Sequence, residues 1–133
     1  MKIFSFLILF FSLSVVLAQD EAPVSPQIAI RIDAGDTAIS NDINITFLEV
    51  LEDSRCPKDV VCVWAGQAKV KVLISGPDIE EKELELIVGK KDYNIIIDEE
   101  EFVLQAMGLT PYPTTQNMGN RDYALLVVQK NYD

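Results

Sequence analysis

The sequence contains no histidine and only two cysteines among its 133 residues. Without histidine there can be no Ser-His or Cys-His nucleophile pair, and the commonest general base and zinc ligand are missing. Asp, Glu, Lys and Tyr remain as candidates for catalysis, but no spacing in the chain singles out two carboxylates for glycoside hydrolysis. We therefore expect a protein that is not an enzyme, with a carboxylate-based hydrolase as the least favoured alternative.

Positive charge is also scarce. The chain has 11 Lys and Arg residues against 21 Asp and Glu residues, which gives a net charge of −10. A chain this acidic is repelled by the phosphates of nucleic acids and of anionic membranes. We expect no nucleic-acid partner. The acidic excess favours solubility, and it would suit basic partners or divalent cations.

The only long apolar run lies at the N-terminus, where it follows Lys2 and ends at Ala18. This pattern is typical of a secretory signal peptide, and the run is short for a membrane-spanning helix, which needs about 20 residues. We predict a signal peptide over residues 1–18, a flexible proline-bearing lead-in over 19–27 and a single β domain over 28–133. The location would be secreted or periplasmic, without stable membrane insertion after cleavage. An uncleaved anchor is the alternative.

Cys56 and Cys62 are separated by five residues that begin with Pro57. In an exported chain two cysteines form a disulfide by default, and closing so short a loop stabilises the fold by about 2–2.5 kcal/mol on the chain-entropy model. Redox-active pairs usually have two intervening residues and a βαβ setting, which this sequence lacks. We therefore predict a structural disulfide whose loop leads directly into a strand.

Short runs with a period of two dominate the rest of the chain. Alternating apolar residues occur at 28–32, 43–51, 68–74, 84–88 and 123–128, and compact apolar runs occur at 93–97 and 102–109. This pattern predicts an all-β fold of about seven to eight strands, an antiparallel β-sandwich or small barrel that is Ig-like in general architecture. Only the segment 98–107 could begin a helix, because acidic residues would occupy its first turn.

Trp64 follows Cys62 by two residues, so on a strand both would face the same side. Packing of the indole in the core beside the disulfide is the favoured interpretation, and an exposed aromatic contact for a partner is the alternative. Gly66 would serve a bulge or a turn where a side chain would clash. Arg55 would form a local ion pair with Asp53 or Asp59.

Two loops are candidate binding surfaces. The first presents Arg55, Lys58 and Asp59 next to the disulfide, with Trp64 after it. The second holds Tyr112 between Pro111 and Pro113, a segment too rigid for a central strand. An exposed Tyr in a stiff loop suits partner contact, although Tyr112 could instead lie over the rim of the core.

Acidic clusters raise the possibility of calcium binding, since Ca²⁺ takes six to eight oxygen ligands. The best candidates are Asp98, Glu99, Glu100 and Glu101, but their spacing does not match an EF-hand loop. Solvated loops are the favoured interpretation of such charge runs. We expect no cofactor, with calcium as a weak alternative.

The segment Asp53-Ser54-Arg55-Cys56-Pro57, followed by Val60, by Cys62-Val63-Trp64-Ala65-Gly66 and by Ala68, resembles the DSRCPxxVxCxWAGxA signature of a family of small exported bacterial and archaeal proteins. The stretch Leu109–Pro113 resembles the C-terminal part of that family. The resemblance covers roughly residues 28–130 and implies that both segments belong to one domain. It implies no activity, ligand or catalytic residue.

The leading hypothesis is therefore an exported β domain, closed by the Cys56–Cys62 disulfide, that acts by binding a protein or a component of the cell envelope. The alternatives are a calcium-dependent binding module and a secreted peptidase inhibitor that uses the disulfide-closed loop as a rigid plug. A carboxylate-based hydrolase comes last.

Overall fold

The computed structural model of the protein describes residues 27–119 and 121–132. The predicted signal peptide, residues 1–18, and nearly all of the predicted lead-in lie outside these residues. Over the described part of the chain there are eight strands and no helix. The strands are β1 (Ile28–Asp33), β2 (Thr37–Ser40), β3 (Ile43–Asp53), β4 (Ala68–Gly76), β5 (Ile79–Ile87), β6 (Ile95–Asp98), β7 (Phe102–Thr110) and β8 (Ala124–Asn131).

The strands form two four-stranded antiparallel sheets. One sheet has the order β1-β8-β7-β6 and the other the order β2-β3-β4-β5. The sheets pack face to face over one core, so the predicted all-β antiparallel sandwich is confirmed, and the two separate sheets distinguish it from a closed barrel. The more specific likeness to immunoglobulin domains stays a prediction.

Alternation of side chains explains why these segments form strands. In β4 the residues at every second position from Ala68 to Ile74 are buried, and the lysines between them face outward. In the register of β3 and β4, Phe47 lies opposite Val72, and both side chains are fully buried. The core joins such residues from both sheets. Its largest fully buried side chains are Phe47, Ile32, Ile45, Ile74, Leu104, Leu125, Val70, Val72 and Val127.

Three local expectations differ from the structure. Thr37–Ser40 forms an edge strand that the sequence pattern did not predict, because four residues are too few to show a period. The possible helix start over 98–107 is wrong: a turn occupies 99–101 and β7 follows it, with Leu104 and Ala106 buried two positions apart. The disulfide loop does not lead directly into a strand, since residues 54–67 are irregular and β4 begins only at Ala68.

The antiparallel arrangement separates the connections into two groups at opposite ends of the sandwich. At one end, which we call the loop end, the long loops 54–67 and 111–123 follow β3 and β7. At the other end, the turn end, lie the short connections 41–42, 77–78 and 99–101. Both segments that stood out in the sequence therefore lie at the loop end.

Candidate functional site

The two long loops of the loop end are joined by hydrogen bonds between them. The backbone N–H of Lys58 donates to the carbonyl of Pro113 over 3.0 Å. The carboxylate of Asp59 accepts a bond of 3.0 Å from the backbone N–H of Thr115 and another from the Thr115 hydroxyl. These bonds connect residues more than 50 positions apart in the chain, so the loops form a single surface.

An ionic cluster lies beneath this surface, and we call it the Asp53 cluster. Arg55 binds Asp53 through two parallel bonds, Nε to Oδ1 at 2.7 Å and Nη2 to Oδ2 at 2.9 Å. Arg121 approaches Oδ2 at 2.6 Å, and the Tyr123 hydroxyl donates to the same oxygen over 2.9 Å. The Asp53 side chain is only 5% exposed, and those of Arg55 and Arg121 are 11% and 10% exposed. The Asp53 cluster thus has four members, which are Asp53, Arg55, Arg121 and Tyr123.

Arg55 also bonds to the second loop. Its guanidinium donates to the carbonyl of Leu109 over 2.7 Å and to that of Pro111 over 3.2 Å, and it lies 4.8 Å from the ring centre of Tyr112. A buried ion pair is tolerated only when its remaining donors are satisfied, and these carbonyls satisfy them. Arg55 therefore joins the end of β3, the end of β7 and the start of the 111–123 loop.

The cluster sets the protonation of its own members. Burial alone raises the pKa of Asp53, but hydrogen bonds from Arg55 and Tyr123 and the charges of Arg55 and Arg121 outweigh it, so the pKa lies below the ordinary value of 3.8. Burial and the bond to the Asp53 carboxylate raise the pKa of the Tyr123 hydroxyl. Asp53 therefore stays ionised and Tyr123 stays protonated at neutral pH.

The predicted Cys56–Cys62 disulfide is present, with Cα atoms 5.9 Å apart. On its N-terminal side the backbone N–H of Ser54 donates to the carbonyl of Gln67 over 2.8 Å, and that of Cys56 donates to Ala65 over 3.0 Å. These bonds pair residues 54–56 with residues 65–67, the two arms of the loop on either side of the disulfide-closed segment. The loop is thus held at its base by backbone bonds and in its middle by a covalent bond.

Gly66 occupies a position that no other residue could fill without movement. Its φ is +68°, and a Cβ built there would lie 1.7 Å from the carbonyl oxygen of Ser54. The predicted clash of a side chain at this position is confirmed, because the backbone of Ser54 lies directly against Gly66.

Beyond these bonds the loop exposes four apolar side chains, which we call the apolar tip. Val60 is 43% exposed, Val61 102%, Val63 91% and Trp64 82%. The favoured interpretation of Trp64 as a core residue beside the disulfide is therefore wrong. The reason is that residues 62–66 do not form a strand, so the alternation that would turn the indole inward is absent.

The structure places the other candidate binding residues in different environments. Lys58 is exposed and its ammonium lies 5.3 Å from the ring centre of Tyr112, which is 39% exposed. Asp59 is held by Thr115, and these hydrogen bonds lower the pKa of its carboxyl group. Arg55 is enclosed in the Asp53 cluster, which confirms its predicted ion pair with Asp53 and shows no pairing with Asp59 among the described residues. Lys58, Trp64 and Tyr112 thus have the accessible groups.

Sequence reasoning missed two parts of the site. Arg121 and Tyr123 were not connected to Asp53, because they are about 70 residues away in the chain. Val61 and Val63 were not selected either. Three valines next to Trp64 in one loop were the available signal, since loops seldom gain from exposed aliphatic side chains.

The acidic candidates Asp98, Glu99, Glu100 and Glu101 lie at the turn end, far from the loops. Glu99, Glu100 and Glu101 line a cleft of about 520 Å³ together with Asp42 and Asp78. Over residues 27–119 and 121–132, no group of three or more His, Cys, Asp or Glu residues is placed to hold a metal ion. Calcium binding stays a prediction.

Comparisons with protein-family models, with curated proteins and with solved structures gave no match to this chain. Among the described residues there is no helix long and apolar enough to cross a membrane.

Trp64 is the only tryptophan of the chain, so its fluorescence reports on the tip alone. Because the indole is 82% exposed, we expect an emission maximum close to that of free N-acetyl-tryptophanamide and efficient quenching by acrylamide. Emission shifted strongly to the blue, with weak quenching in a dilute sample, would show that the indole is buried.

Gly66→Ala should destabilise the protein far more than Gly35→Ala does. Both positions have positive φ, but a Cβ at Gly35 meets no atom within 4 Å, whereas at Gly66 it meets backbone. We expect a loss of about 1–2 kcal/mol for Gly35→Ala and roughly 3 kcal/mol or more for Gly66→Ala, measured by urea unfolding. Equal losses would contradict the close approach at Ser54.

Asp53 should make stability depend on pH. Since the folded protein lowers the pKa of Asp53, its stabilising effect is complete above the unfolded value of 3.8 and is lost as the pH falls through the lower folded value. Asp53→Asn leaves two buried cations without their partner and should cost about 3–5 kcal/mol near pH 6. The gap to wild type should narrow towards about pH 2. Asp36→Asn, at an exposed turn position, is the control and should show little loss.

Proposed function

We propose that the protein is an exported binding module that recognises a partner protein through the apolar tip of its disulfide-closed loop. The observation that carries this proposal is the exposure of Val61, Val63 and Trp64 on a loop whose base is fixed. Each of these side chains is in contact with water over most of its surface. Removing apolar surface from water is worth about 25 cal/mol per Å², so burying the tip against a partner would stabilise the complex.

The shape of the tip favours a protein as the partner. Trp is among the residues most enriched at binding hot spots, and a convex apolar group needs a concave apolar pocket. The adjoining cation Lys58 and the ring of Tyr112 add a polar rim and an aromatic contact. Rims of this kind set orientation and exclude water around a central contact.

The rigidity of the loop favours a binding role for the exposed side chains over exposure without a function. The disulfide, the paired arms and the bonds to Pro113 and Thr115 all reduce the freedom of the chain around the tip. A loop that is already ordered loses less conformational entropy when it binds, which increases affinity without further contacts. Loops at one end of a sandwich are used in this way by antibody domains.

Two features support an exported setting. The disulfide is of the kind that persists in oxidising compartments, and residues 1–18 have the pattern of a signal peptide. The net charge of −10 argues against nucleic acid as the ligand. The resemblance to small exported proteins agrees with this setting but adds no ligand. We propose no cofactor and no catalytic step.

Affinity capture from the native exported fraction tests the proposal. The bait is the folded domain, compared with a tip variant carrying Val61→Ser and Trp64→Ser, and the control is Ile39→Thr, which removes another exposed apolar side chain from β2. We expect a partner that wild type and the control retain and the tip variant loses by tenfold or more. Retention of every partner by a folded tip variant would contradict the proposal.

A further inference from the structure

The outermost part of the disulfide loop has few bonds to the rest of the domain. Among the described residues, the backbone groups of residues 61–64 make no hydrogen bond to another backbone group, and the N–H of Val60 donates only to the carbonyl of Pro57, over 3.3 Å. The side chains of Val61, Val63 and Trp64 are exposed, so packing does not hold them either. In the described part of the chain, the Cys56–Cys62 disulfide is therefore the main tie on the apolar tip.

The base of the loop is held without the disulfide. The backbone N–H of Ser54 donates to the carbonyl of Gln67, and the N–H of Gln67 donates to the Ser54 hydroxyl over 3.1 Å. Arg55 is fixed in the Asp53 cluster, and residues 58–59 are bonded to the 111–123 loop. Opening the disulfide would therefore free the segment 60–64 and leave the base and the sandwich in place.

The disulfide is accessible from solvent. Cys62 is exposed and Cys56 is partly exposed, and the side chains on either side of Cys62 point into water. Exchange with an external thiol begins when a thiolate reaches one sulfur of the pair, and exposed disulfides are the labile and regulatory ones. Cys62 offers the more accessible side of this bond.

We propose that the Cys56–Cys62 disulfide is a redox switch for the apolar tip. When a dithiol reduces it, the segment 60–64 loosens and the binding site is lost, while the domain stays folded. When the disulfide forms again, the site returns. The proposal rests on the binding role of the tip proposed above and adds the regulation of that site.

The chemistry is thiol–disulfide exchange with a dithiol as the reductant. One thiolate of the dithiol attacks the sulfur of Cys62, the S–S bond breaks, and Cys56 leaves as a thiolate that takes a proton from water. The second thiolate of the reductant then attacks its own sulfur in the mixed disulfide and releases Cys62 as a thiolate, which is protonated in turn. Two electrons pass to the protein, and the reductant becomes a disulfide.

The effect on binding follows from the freedom that the tip gains. Ordering the backbone of one residue costs roughly a factor of ten in an equilibrium constant, and the reduced tip has five residues, 60–64, to order again on binding. The oxidised tip has lost most of this freedom already. We therefore expect reduction to weaken partner binding about tenfold or more.

The first experiment uses the folded protein alone. Dithiothreitol in native buffer should expose two thiols per molecule, counted by the mass added by a maleimide. Time-resolved anisotropy of Trp64 should then show more fast local motion, while circular dichroism and the hydrogen-exchange protection of the Ser54 and Gln67 amides stay unchanged. A Cys56→Ser, Cys62→Ser variant should match the reduced protein, and protein taken through the same steps without reductant is the control.

The second experiment repeats the affinity capture with baits of defined redox state. The bait is reduced, alkylated and freed of reagent before it meets the exported fraction, so disulfides of the partner stay intact. The Cys56→Ser, Cys62→Ser bait excludes an effect of the alkyl groups. Both should retain about tenfold less partner than the oxidised bait, and a bait that is reduced and then oxidised again should recover full retention. Ile39→Thr should behave like wild type in each state.

Three results would overturn the proposal. These are a disulfide that resists dithiothreitol unless denaturant is added, reduction that unfolds the whole domain, and full retention of the partner by the reduced and the Cys→Ser baits. In the third case the switch is wrong and the binding function stands. If the oxidised bait captures no partner through its tip, both proposals are rejected.

Discussion

The bidentate ion pair between Asp53 and Arg55 is the interaction on which the loop end depends. It lies where β3 ends, at the point where the chain leaves the sheet for the disulfide loop. The same guanidinium reaches the carbonyls of Leu109 and Pro111 on the other sheet. One side chain therefore fixes the relative position of the two sheets at this end, and Arg121 and Tyr123 complete the coordination of the carboxylate.

Such a pair is costly to bury unless all its donors and acceptors are used, and here nearly all are. The geometry also requires arginine, because the planar guanidinium binds a carboxylate with two bonds and still has donors left for carbonyls. A lysine would supply a single point charge. With the loop bases fixed in this way, the disulfide and the contacts to Pro113 and Thr115 need only order the outer residues. The exposed valines and Trp64 then project from a rigid base.

Much of the fold could be predicted from the sequence, since β4 and the first half of β3 alternate clearly between buried and outward residues. The disulfide and the role of Gly66 could also be predicted, because both depend on local chain geometry. Trp64 could not be placed correctly: its environment depends on whether residues 62–66 pair with a neighbour, and alternation is informative only within a paired strand. Arg121 was missed for a different reason, since a contact across 68 residues leaves no local pattern.

The central claim is that Arg55 holds both loops together, and native-state hydrogen exchange in an Arg55→Lys variant tests it most directly. The informative amides are those of Lys58 and Thr115, each bonded across the two loops. Arg31→Lys, at an exposed pair with Asp33, is the matched control. We predict that Arg55→Lys lowers the protection of both loop amides together, while amides of β4 and the control variant keep wild-type protection. Unchanged protection at Lys58 and Thr115, or loosening of only one loop, would contradict the claim.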